Sequence, residues 1–187
     1  MVEIRGSFVN STIAAAKKRN GVQFYNDIIS QLDEQARQLF EQPISDTGWY
    51  SYDSFIKFLE EELKLTANGD ENELQIRSEA FLEQRLKSVY KLFIKFWSPE
   101  SIIKRHTILH QGLFRGVSIK ITFDGSNKVI IKYIGFEKQH RLMEPAIVGY
   151  YKKALEISVA TDIHTKFLTS IGENKGYCEL EITWKIK

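Results

Sequence analysis

The chain has 187 residues, 43% hydrophobic and 12% aromatic, enough to build one domain around a sizeable core. Its 26 basic and 24 acidic residues nearly cancel, so no nucleic acid is expected as a partner. A single cysteine, Cys178, rules out an internal disulfide and fits a reducing, cytoplasmic setting. Glu3 and Arg5 stand where a signal peptide needs an apolar run, and no stretch approaches the ~18 apolar residues of a membrane span, so none is expected.

The first hundred residues read as helix. FVNSTIAAAKK (8–18) is alanine-rich and stops at Asn20-Gly21. VQFYNDIISQL begins a second helix, and LDEQARQLFE a short third, with Asp33 placed to cap it and Gln42-Pro43 to end it. Ser51 can cap a fourth, whose Tyr52, Phe55, Ile56, Leu59 and Leu63 trace one stripe. Within it, Glu60, Glu61 and Glu62 read as a solvated face. After the polar loop at Asn68-Gly69 a long helix is expected from about Asn72 to Trp97, with Leu82, Leu86, Val89, Phe93 and Phe96 on one face. Ser98-Pro99-Glu100 restarts a short helix, serine at the cap and proline at the first position.

After Gly112 the period changes from helical to alternating. VSIKITF and KVIIKYI form a hairpin across DGSN, with Val129, Ile131 and Tyr133 on one face of the second strand. EPAIVGYYKKALEIS carries Ile147, Tyr151, Ala154 and Leu155 at helical spacing. TDIHTKFLTS and YCELEITWKIK make a second hairpin, with Cys178, Leu180, Ile182, Trp184 and Ile186 sharing a face. The fold class expected is α+β: an N-terminal helical half followed by a four-stranded antiparallel β-β-α-β-β half. Residues 1–187 form one domain, with a helical subdomain over 1–110 and a sheet subdomain over 111–187.

This order of elements resembles the superfamily of ligand-binding domains from NO signalling and Golgi transport. That superfamily includes the haem-NO-binding (H-NOX) domains, the 4-vinyl-reductase-type domains and transport-particle subunits. More narrowly, FYNDIISQLDEQARQLF, GWYSYDSF, AIVGYYKKALE and the closing strand CELEITW resemble a bacterial family well represented among myxobacteria. The resemblance implies a ligand held between the helical half and the sheet, and a homodimer formed through the N-terminal helices. The H-NOX domains bind haem through one helical histidine and grip its propionates with Tyr-x-Ser-x-Arg. The nearest stretch here is Tyr133-Ile134-Gly135-Phe136-Glu137, which lacks the serine and replaces the arginine by an acid. One cysteine cannot supply the metal cluster of the 4-vinyl-reductase-type domains.

His106 and His110, four residues apart, are the alternative pair for a metal or haem, but Thr107 stands where H-E-x-x-H needs its glutamate. The plainer reading is a histidine near a helix end, its cation matched to the helix dipole. His164 is expected on the wet face of its strand, and Cys178 is expected buried and inert. No nucleophile–base or acid–base pair emerges, so no enzyme is expected. The reading is a regulatory module that binds a small apolar ligand or a protein partner and requires no cofactor. The alternative is a haem- or metal-binding gas or redox sensor. The ligand-site residues are Phe93, Phe96, Trp97, Tyr133, His140, Tyr151 and Trp184, the aromatic rings supplying apolar walls and Tyr133, Tyr151 and His140 the polar groups.

Overall fold

Helix α1 (Gly6–Asn20) ends where Gly21 takes a φ of 89°, and α2 (Val22–Gln31) follows at once. The side chain of Asp33 accepts from the Ala36 amide at 2.8 Å and starts α3 (Glu34–Glu41). Ser51 does the same for α4 (Tyr52–Ala67) through the Ser54 amide at 3.2 Å. All five stripe residues of α4 are buried. The protein is described from a computed structural model covering residues 1–85 and 97–186.

Two compact units emerge. The first comprises Met1–Asp70 and Gln111–Gly116. It holds α1 to α4 and a small antiparallel sheet that the helical reading of the first hundred residues did not anticipate. Strand β1 (Glu3–Arg5) lies between β2 (Trp49–Ser51) and β3 (Phe114–Arg115). Glu62 corrects a second expectation. It is 1% exposed and forms an ion pair with Arg19 at 2.6 Å, so the acidic run turns one of its carboxylates inward.

The second unit comprises Glu71–His110 and Val117–Lys187. Helix α5 (Asn72–Arg85) falls within the expected span from Asn72; the later part of that expectation, with Phe93 and Phe96, lies outside the described residues. Helix α6 (Pro99–Leu113) is no short restart but runs for 15 residues, its first turn closed by the Ser101 amide on the Ser98 hydroxyl at 3.3 Å. The sheet contains β4 (Ser118–Phe123), β5 (Lys128–Ile134), β6 (Ala160–Thr169) and β7 (Tyr177–Ile186) in the order β4-β5-β7-β6, every pair antiparallel. Its register sets Tyr133 opposite Cys178 and Ile131 opposite Leu180, which makes the expected apolar face. Ile186 is the exception at 53% exposure. Helix α7 (Glu144–Glu156) covers that face, packed on β6 and along α5. Among the described residues no helix is long and apolar enough to cross a membrane.

Candidate functional site

Helix α6 is inverted. Its inward stripe runs through Ile102, Ile103, His106 and His110, at helical spacing, while Ile108 and Leu109 are 70% and 56% exposed. A buried polar residue beside an exposed apolar one is the informative departure from ordinary partition. The imidazoles enter an aromatic cluster built by β5, the turn after it, and α7. The His106 ring lies 4.4 Å from Tyr150 and 4.5 Å from Tyr151. The His110 ring lies 5.6 Å from Tyr133 and 6.4 Å from Phe136, and the two imidazoles are 6.1 Å apart. Deeper in, the Tyr133 hydroxyl donates to the Tyr151 hydroxyl at 3.1 Å, both residues fully buried.

Burial sets the charge state of every member. It depresses His106 to about 3, assisted by His110, and His110 to about 4. Both imidazoles are therefore neutral at neutral pH, and the expected dipole-matched cation is replaced by a neutral ring packed in core. Burial also pushes Tyr150 up to about 12 and holds Tyr133 and Tyr151 well above the ordinary phenol range. These two imidazoles and three phenols are all moved away from neutrality, where a general acid or base works best. The Nδ1 of His106 is buried and has no hydrogen-bond partner among the described residues. A neutral imidazole offers one nitrogen lone pair to a hydrogen-bond donor or a metal.

The sequence-expected residues divide clearly. Tyr133 and Tyr151 meet at the centre, and His140 joins through Phe136, whose ring is 5.9 Å from Tyr133 and 5.8 Å from His140. Trp184 is buried on the same sheet face, but six residues along β7 from Cys178, roughly 20 Å away. Trp97 lies under the Arg105 guanidinium, 3.8 Å from its ring centre. Phe93 and Phe96 lie outside the described residues. Sequence reasoning missed Tyr150 and Phe136 as members of the cluster. The signal available was the α6 stripe, in which both histidines fall in line with Ile102 and Ile103. Cys178 is buried, as expected, and burial pushes its thiol up to about 12. His164 is exposed and contacts Asp162 at 2.9 Å. Among the described residues no group of three or more His, Cys, Asp or Glu side chains is placed to hold a metal ion.

No family model and no curated protein matches the sequence. Solved structures do. An Fe(II) unliganded H-NOX protein mutant from K. algicida matches at 13% identity over 97% of this chain and 96% of that one, with a TM-score of 0.69. An H-NOX protein from S. oneidensis in its Fe(II)NO state matches at 12% over 97% and 99%, TM-score 0.68. An oxygen-binding H-NOX domain related to soluble guanylate cyclases matches at 12% over 97% and 95%, TM-score 0.64. The chain has the H-NOX fold. At these identities the likeness is one of fold, and the site must be judged on its own residues.

Judged so, the cluster meets one requirement of haem and fails another. A neutral helical imidazole suits iron. Two propionates need cations or free donors. Over 133–137 the only ionisable side chains are Tyr133, whose proton is committed to Tyr151, and Glu137, an exposed acid. The residues present do not fit a haem held by its propionates along this segment.

Proposed function

We propose that the chain is a sensor module that binds a small molecule at the histidine–tyrosine cluster of its second unit and performs no chemistry on it. The observation that carries the reading is the inverted helix α6, which spends its inward positions on two neutral imidazoles. Evolutionarily cheaper leucines would pack the same stripe without desolvating polar nitrogens. The fold supports the sensor class over a plain protein-interaction surface, because the solved H-NOX proteins it matches are described in Fe(II), NO-bound and oxygen-bound states. A cytoplasmic setting belongs to the same proposal.

Native mass spectrometry of freshly purified protein tests it. A non-covalent small-molecule adduct is expected, and it should be lost in His106→Phe, which keeps a ring and removes the imidazole nitrogens. An adduct-free spectrum together with no ligand-induced protection of α6 in hydrogen exchange would remove the sensor reading. A second reading, a haem-binding gas sensor, is favoured by the neutral state of His106 and His110 and by the same structural neighbours.

A further inference from the structure

We infer that this chain keeps the H-NOX fold without haem, because the segment 133–140 is largely closed on itself and, among the described residues, offers a carboxylate-bearing ligand one cation, the solvent-exposed Lys138. The inference rests on the sensor reading for the existence of a ligand and narrows its class. Apart from Lys138, the polar groups that could have formed a grip are engaged within the second unit. The Tyr133 hydroxyl donates to Tyr151 at 3.1 Å. The Gly135 amide donates to the Gly176 carbonyl at 3.2 Å, with Gly135 at a φ of 111°. That backbone conformation is costly for any residue with a Cβ, so the position cannot take a serine without strain. The Glu137 amide donates to His140 Nδ1 at 2.9 Å, while the His140 amide donates to the Glu137 carbonyl at 2.8 Å. The Glu137 carboxylate accepts from Gln139 at 3.0 Å.

The buried Phe136 ring fills the middle of this segment, against His110, Tyr133 and His140. Two of the three neighbouring cations are paired with acids. Lys132 is paired with Glu179 at 2.9 Å, Arg141 with Glu71, and Lys138 is exposed to solvent. A dianionic macrocycle brought here would meet one acid, one exposed lysine, neutral tyrosines and the neutral imidazoles of His106 and His110. Burying its charge without a partner is unfavourable. The same accounting points to a ligand that is uncharged where it meets the cluster.

Haem titration of the full chain, purified without added haem, tests the inference by absorbance. No saturation at one haem per chain is expected, and Glu137→Ala should not create one, because removing the acid supplies no donor that the closed segment lacks. Saturation at one haem per chain overturns the inference, and its loss in His106→Phe or His110→Phe would then name the ligand. The outcomes separate the two proposals. Stoichiometric haem sinks this one and leaves the sensor reading standing, whereas an adduct-free native spectrum together with an unprotected α6 sinks the sensor reading and leaves the haem result untouched.

Discussion

His106 and His110 titrate near 6.5 when unfolded and at about 3 and about 4 when folded. Between those limits the unfolded chain binds more protons than the folded one, so stability rises with pH across the interval. The contribution is full above about 6.5 and is lost as pH falls towards 4 and below. Each histidine can contribute up to about 1.4 kcal/mol per pH unit in that window. Urea midpoints measured from pH 7 to pH 5 should therefore fall more steeply in the wild type than in His106→Phe; parallel curves would show that this imidazole is not held neutral by folding. The tyrosine pair gives a second residue-scale test. Tyr151→Phe leaves the buried Tyr133 hydroxyl without its acceptor, at a cost of about 1–3 kcal/mol. Adding Tyr133→Phe removes the orphan, so the double variant should lose less than the sum of the single losses, by thermal denaturation.

At the scale of elements, α7 approaches α5 so closely that a Cβ on Gly149 would lie 2.4 Å from the Gln75 carbonyl oxygen. Backbone cannot yield as a flexible side chain can. Gly149→Ala should thus cost about 1–3 kcal/mol, and an unchanged melting temperature would show that the helices separate freely. Much of this architecture is legible in the sequence. Alternation writes β4, β5 and β7 plainly, because one face is packed and the other wet. Caps at Asp33, Ser51 and Ser98 mark where three helices begin. The small sheet was not legible, since strands of three, three and two residues are too short to show a period and exist only by pairing across the chain. Glu62 hid among identical neighbours, its burial decided by Arg19, 43 positions away. The histidine cluster was half legible: the spacing of His106 and His110 drew notice, but their inward direction depends on Tyr150 and Tyr151, which only the fold brings to them.

For the whole molecule the open matter is self-association. The four-stranded sheet ends in β4 and β6, and unpaired edges invite a second chain. Both edges carry features that discourage it. Lys120 sits in the middle of β4 and is exposed. Strand β6 is broken by an irregularity between Thr161 and His164, where Asp162 takes a φ of 50° and pairs with Lys185 at 2.7 Å and His164 at 2.9 Å. A bulge with charges on it is a poor template for continued pairing. The first unit exposes Val22 on α2 and Leu65 on α4, at 62% and 49%, as the second exposes Ile108 and Leu109 on α6. We propose a homodimer through the N-terminal helices. Sedimentation equilibrium at ~100 µM, well above the dissociation constants of specific complexes, should show a dimer. Val22→Asp and Leu65→Asp should shift it towards monomer, while a proline at Thr122 on the β4 edge should not. A wild-type monomer at that concentration overturns the expectation, and a dimer dissolved only by the edge proline would move the interface to the sheet.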